Sequence, residues 1–181
     1  MPHYVAFLRG INLGKRRVKM NHLRDLFTAM GHENVSTYIA SGNVVFTSAT
    51  RSIAKLENHI EQVLESELGY AVPIIIRTQT ELCRIVSNAP LSDLFIDAEK
   101  PSTQVTFFKN AIEPQLAKTL GTLRTPTDAF ASTEQELYWR CAIRISESTI
   151  WKHPKLNPHH IPTGTTRNLN TLQKLVDLFA S

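Results

Sequence analysis

A chain of 181 residues with 42% hydrophobic and 20% charged side chains can bury one good core or two small ones, and is too apolar for a disordered chain. No apolar run reaches the roughly 18 residues that a membrane-spanning helix needs, so no membrane partner is expected. The formal charge of +4 hides a segregation: residues 1–24 carry six lysines and arginines and no acid, residues 148–176 carry four and no acid, and residues 25–147 carry ten against fifteen acids.

In chain order, Met1-Pro2-His3-Tyr4-Val5 enters a strand pattern with no charged-then-apolar leader, which makes a cytoplasmic protein the expectation. Tyr4, Ala6 and Leu8 alternate with Val5 and Phe7. The glycine-bearing loop Arg9-Gly10-Ile11-Asn12-Leu13-Gly14-Lys15 follows. Met20, Leu23, Leu26, Phe27 and Met30 then fall at helical spacing, with Gly31 as a stop. Residues 37–46, Thr-Tyr-Ile-Ala-Ser-Gly-Asn-Val-Val-Phe, read as two strands broken by a tight Ser-Gly-Asn turn. A longer helix is expected from Ser52 to Gly69 on the stripe Ile53, Leu56, Ile60, Val63, Leu64 and Leu68, then a short strand at Val72-Pro73-Ile74-Ile75-Ile76.

Strand, helix, strand, strand, helix, strand is the order of a ferredoxin-like βαββαβ plait, with helices on one face of the sheet and the other face open. Beyond it, Thr78-Gln79-Thr80-Glu81 is a capping box. A second cycle runs through a strand at residues 104–108, a short helix opening near Pro114 and closing at Gly121, and strands at 129–132 and 136–143. A final helix is expected with Asn170 and Gln173 at its cap and third positions. The fold expected is therefore α+β: a ferredoxin-like subdomain at 1–77 and a second, related α+β subdomain at 78–181 whose C-terminal helix docks back. Cys83 and Cys141 lack CxxC spacing and are expected as free, inert thiols of a reducing compartment.

Two stretches suit an anion. In Arg9-Gly10-Ile11-Asn12-Leu13-Gly14-Lys15 the glycines let backbone amides converge while Arg9 and Lys15 add charge. It is not a Walker A loop, because three residues separate the glycines and Arg16 follows the lysine. Thr163-Gly164-Thr165-Thr166-Arg167-Asn168 is expected just before the last helix, where unpaired N–H groups and the dipole favour negative charge. Capping explains its threonines and asparagines but not Arg167, a residue suited to bidentate phosphate contact. His153, His159 and His160 lack a metal-ligand framework, so neither a metal nor another cofactor is expected. Ser41 is not in a nucleophile elbow, and the RNP1 pattern of RNA-binding plaits is absent.

Ala6-Phe7-Leu8-Arg9-Gly10-Ile11-Asn12-Leu13-Gly14, the hairpin at residues 37–46, and Thr166-Arg167-Asn168-Leu169-Asn170-Thr171 together resemble the mainly bacterial family called domain of unknown function 1697. The three blocks occur in the family's order and span essentially the whole chain. The resemblance implies a cytosolic α+β protein of ferredoxin-like subdomains and no assigned activity.

The leading expectation is a binding module for a phosphate-bearing ligand, either a nucleotide or nucleic acid, at a basic cleft. Its candidate ligand-binding residues are Arg9, Asn12, Lys15, Tyr38, Ser41, Asn43, Arg167 and Asn168. One alternative is an enzyme on an anionic substrate, with Ser41 or Tyr38 near the chemistry, Arg167 stabilising charge and His22 a candidate base; no catalytic residue is assigned. Another is a structural or interaction protein whose polar blocks fix turns. No oligomeric state is implied.

Overall fold

The computed structural model describes residues 1–39, 42–91, 94, 96–157 and 160–179. The chain is α+β with two four-stranded antiparallel sheets. Its contacts divide it into two units, Met1–Ile85 with Lys174–Ser181, and Val86–Gln173. Both cysteines are free thiols. Among the described residues, no helix is long and apolar enough to cross a membrane.

The first unit contains β1 (His3–Leu8), α1 (Met20–Ala29), β2 (Glu33–Tyr38), β3 (Asn43–Thr47), α2 (Ile53–Leu68) and β4 (Ile74–Thr78), with the sheet ordered β2-β3-β1-β4. Tyr4, Ala6 and Leu8 of β1, Val44 and Phe46 of β3, and Ile74 and Ile76 of β4 form one sheet face. Leu23 and Phe27 of α1 and Leu56, Ile60 and Leu64 of α2 close over it. Each of the buried valine, leucine, isoleucine and phenylalanine side chains contributes about 1.5–3 kcal/mol by leaving water. The helix signals work as read: the Ser52 hydroxyl accepts from the Lys55 amide and Gly69 ends α2 at φ +76°.

Edge strand β4 is shielded by carboxylates. Glu61 Oε1 accepts from the Ile74 amide at 2.7 Å, Glu57 Oε1 from the Ile76 amide at 2.9 Å, and Glu81 Oε2 from the Thr78 amide at 2.8 Å. Glu57 and Glu61 are one helical turn apart on α2, so a single helix satisfies alternate amides that another strand would otherwise pair. Glu81 belongs to α3 (Gln79–Ser87), and its amide donates the reciprocal bond to Thr78 Oγ1, completing the expected capping box.

The opposite face of this sheet is not open as expected. Val5 and Phe7 are fully buried, and Val45, Ile75 and Arg77 are each 5% exposed. One contributor is α5 (Leu169–Phe179), whose last turns group with this unit. Phe179 sets its edge against His3, centroids 6.0 Å apart, on the strand face that carries Val5 and Phe7.

The second unit runs β5 (Ser102–Phe107), α4 (Pro114–Thr122), β6 (Asp128–Ser132), β7 (Glu136–Cys141), two 3-10 turns (Ile145–Glu147 and Ile150–Lys152) and β8 (Thr165–Asn168), ordered β6-β7-β5-β8. Pro114 occupies the first turn of α4 and Gly121 lies in its last, one residue before the end at Thr122. Phe108, Phe130, Leu137 and Trp139 pack with Ile112, Leu120 and Leu123 and with Ile150 and Leu156.

Two expectations change here. Residues 165–168 form a strand, each paired to β5 from Gln104↔Asn168 to Phe107↔Thr165, instead of a loop in front of a helix. The helix starts at Leu169, and Asn168 Oδ1, not Asn170, does the capping, accepting from the Asn170 amide at 2.9 Å. Gly164 brings the chain in so closely that a Cβ there would sit 2.6 Å from the Phe107 carbonyl oxygen. Only a glycine fits that approach.

Candidate functional site

Residues 9–19 leave β1 and curl back before α1, with Gly10 and Gly14 at positive φ, +69° and +62°. Asn12 closes the curl: its Oδ1 accepts from the Val18 amide at 2.7 Å and its Nδ2 donates to the Val18 carbonyl at 3.4 Å. The Arg17 guanidinium donates to the carbonyls of Gly14 at 2.9 Å and Arg16 at 2.6 Å. The Leu13 and Arg16 amides donate to the Gly10 and Leu13 carbonyls. Three loop amides, those of Leu13, Arg16 and Val18, are thus consumed inside the loop. Lys15, Arg16, Arg17 and Lys19 of the loop are exposed.

That charge lines a surface cavity of about 600 Å3. Lys15, Arg16, Arg17 and Lys19 come from the loop and His22 from α1. Glu67 at the end of α2 and Tyr70 just beyond it form the other side. The Arg16 guanidinium carbon lies 4.2 Å from the Tyr70 ring centroid, a cation–π contact. The Tyr70 hydroxyl donates to the Ile11 carbonyl at 3.1 Å, fixing the ring. Lys19 stands at the N-cap of α1, where no side chain caps the helix and no acid occupies the first turn. The positive end of the helix therefore adds to the same field.

Of the candidate residues picked out by sequence, Lys15 lines this cavity and Asn12 shapes its loop. Arg9 is exposed at the end of β1, its amide donating to the Pro73 carbonyl. Tyr38 ends β2 half-buried, and Asn43, fully buried, donates from Nδ2 to the Tyr38 carbonyl at 2.9 Å, locking the hairpin. Ser41 lies outside the described residues. The Gly42 carbonyl accepts from the Leu8 amide at 2.8 Å; the residue sits at φ +79°, so near Ile11 that a Cβ would come within 2.9 Å of its side chain. Hairpin and loop are in this way joined at the end of β1.

Arg167 and Asn168 belong to the second unit. Arg167 is 9% exposed, opposite Val105 in the ladder, and donates from Nη1 to Thr165 Oγ1 at 2.9 Å and to the Thr166 carbonyl at 2.8 Å. Burial lowers its guanidinium from the ordinary arginine range to about 10, still charged at neutral pH.

A family model described as "Protein of unknown function (DUF1697)" matches residues 1–138, a span that contains the whole cavity and its loop. The chain belongs to the DUF1697 family. No curated protein matches it. Among solved structures it is similar to one described as a conserved bacterial protein, SP0830 from Streptococcus pneumoniae, at 25% identity and a TM-score of 0.78 over 100% of this chain and 99% of that one.

Within this DUF1697 chain, reading the sequence missed Arg16 and Arg17 as lining groups and missed Tyr70 altogether. A run of Lys-Arg-Arg-x-Lys was visible, but no local pattern links it to a tyrosine more than fifty residues on. A second cluster also went unread. Asp128, 2% exposed, accepts at Oδ1 from Trp139 Nε1 and Ser148 Oγ, both at 2.8 Å, and at Oδ2 from Thr127 Oγ1 at 2.6 Å. Burial pushes its carboxyl up, but the bonds from Thr127, Ser148, Trp139 and Cys141 outweigh it and hold the net shift below the ordinary value. With those donors in place the carboxylate is an internal anchor.

Proposed function

We propose that this DUF1697 protein binds a phosphate-bearing ligand in the cavity of its first unit. One observation carries the reading. Between β1 and α1 the chain spends residues 9–19, whereas the corresponding turn from β5 to α4 needs only residues 108–113. The shorter turn does the same structural task, since the Phe108 amide reaches the Gln135 carbonyl of its neighbouring hairpin at 3.0 Å much as the Leu8 amide reaches Gly42. The surplus in the first unit is the stretch that brings Lys15, Arg16, Arg17 and Lys19 to a cavity where Glu67 is the one carboxylate among the described lining residues. Cations gathered beside an uncapped helix start favour an anion.

In this reading Lys15 and Lys19 neutralise charge, Arg16 offers its fork from a fixed seat on Tyr70, and Asn12 and Arg17 hold the loop in shape. Asn43 and Gly42 steady the loop from the hairpin side. Arg9 is an outer cation. The same reading takes each unit as a ferredoxin-like plait, supported by the order β2-β3-β1-β4 with antiparallel neighbours throughout and by its recurrence as β6-β7-β5-β8. A cytoplasmic location fits the free thiols.

Titration of isotope-labelled protein with inorganic phosphate at low ionic strength tests this. Amide resonances of residues 15–19, 22, 67 and 70 should move together and saturate. Shifts confined to other residues, or none, would overturn it.

A further inference from the structure

The cavity's composition narrows the ligand, on the reading that it is an anion site. We propose that it takes two or more linked phosphates, the group shared by inorganic pyrophosphate and nucleoside diphosphates, in preference to a lone phosphate or a strand of nucleic acid. Charge count comes first. Four lysines and arginines against Glu67 leave three positive charges to be met, whereas a lone phosphate group carries about −1.5 to −2 at neutral pH. A single phosphate leaves part of the lining unpaired, and a diphosphate matches it.

The second ground is that the cations are of two kinds. Arg16 is held on Tyr70 at 4.2 Å and so presents a planar fork from a fixed position. Arg17 is tied to loop carbonyls and adds field more than donors. Lys15 and Lys19, exposed and on flexible stems, are point charges that can settle on whatever lies beside the group held by the fork. One rigid bidentate donor flanked by two adaptable charges suits adjoining phosphates. At about 600 Å3 the cavity is within the range of small-molecule sites.

Third, the lining does not suit a nucleic-acid strand. Single strands are held by successive bases stacked on open aromatic faces. Among the described residues Tyr70 is the one phenyl-type or indole ring in the lining, and it already carries Arg16 on its face and gives its hydroxyl to Ile11. Duplex binding wants cations along an extended stripe, whereas these converge on one cavity.

Isothermal titration at low ionic strength with pyrophosphate, orthophosphate, ADP, AMP and a short oligothymidylate tests the proposal. Pyrophosphate and ADP should each bind one to one, about tenfold tighter than orthophosphate and AMP, a difference of about 1.4 kcal/mol. The Lys15→Gln/Lys19→Gln variant should lose that preference while Lys118→Gln, on exposed α4 surface, keeps it. ADP no tighter than pyrophosphate supports the proposal with the linked phosphates as the whole determinant; ADP tighter supports it with the nucleoside contributing. Orthophosphate binding as tightly as pyrophosphate overturns the linked-phosphate assignment and leaves the anion site standing. Oligothymidylate binding tightest, with a steep salt dependence, overturns it in favour of a strand. No binding by any probe overturns both this inference and the anion-site reading.

Discussion

The two sheets are laid out alike and covered differently. In each, the fourth strand carries a buried arginine at the same register: Arg77 opposite Val5 in the first, Arg167 opposite Val105 in the second. Each donates from Nη1 to the carbonyl of the residue before it, Ile76 at 3.0 Å and Thr166 at 2.8 Å. Val5 and Phe7 of β1 recur as Val105 and Phe107 of β5. The covers diverge. In the first unit the crossover before β4 is the sixteen-residue α2, which supplies an apolar stripe and two carboxylates for the strand edge. Before β8 the described residues include two 3-10 turns, held down by Asp128: Ser148 donates to it and accepts in turn from the Ile150 amide, while Trp151 stands edge-on to Phe130 and Trp139. One layout thus tolerates either an apolar helix or a polar anchor, and the features beyond that shared layout are where specific roles reside. The long cationic loop of the first unit is the largest of them.

Asp128→Asn should break the comparison most severely. It leaves donors facing a weaker acceptor in a buried setting, at a cost of about 3 kcal/mol. Hydrogen exchange should accelerate across β6 and β7 while β1 and β3 stay protected; equal acceleration in both units would contradict separate anchoring. The depressed carboxyl adds a pH signature. The stability it contributes is present above the ordinary carboxylate value of 3.8 and is lost as pH falls below that through its folded value.

His32 offers a milder contrast on the first unit's side. It is 5% exposed, 4.6 Å from Phe46 and 5.9 Å from Phe27 between ring centroids, and neither ring nitrogen has a hydrogen-bond partner among the described residues. Burial, followed by the charge of His59, holds it below the ordinary 6.5. The unfolded chain therefore takes up its proton first, so stability is full above pH 6.5 and declines as pH falls from there toward the folded value. His32→Phe should flatten the melting temperature of the chain across that window; an unchanged slope would show that another group sets it.

A smaller effect is expected at Ile39, a β-branched residue at φ +52° and 50% exposed. Ile39→Asn should raise stability by about 0.5–1 kcal/mol, read as a higher urea midpoint, because asparagine tolerates that backbone better. Loss of stability would mean that the exposed isoleucine packs on something.

What could be read in the sequence was local. Ser52 and Gly69 bracket α2, Thr78 and Glu81 reciprocate, and β1 alternates as its residues suggest. Strand β8 was hidden because Thr165-Thr166-Arg167-Asn168 has no apolar alternation; it becomes a strand by pairing with β5, as in the hydroxyl contact of Thr106 and Thr166 at 2.8 Å across sixty residues of chain. The Asp128 anchor depends on partners eleven and twenty residues away, Trp139 and Ser148. The cavity was half legible: the cationic run is a sequence pattern, but its far wall of Glu67 and Tyr70 exists only once α2 returns to the loop.

The central claim is that the surplus loop exists for a ligand and not for the fold. A thermal melt of wild type and Lys15→Gln/Lys19→Gln, each with and without saturating pyrophosphate, tests it most directly. Wild type should gain about 3 °C with ligand near ten times its dissociation constant. The variant should melt within about 1 °C of unliganded wild type and gain nothing, since exposed charges away from anchors cost little stability. A variant that melts much lower on its own, yet is still raised by pyrophosphate as far as wild type, would contradict the claim.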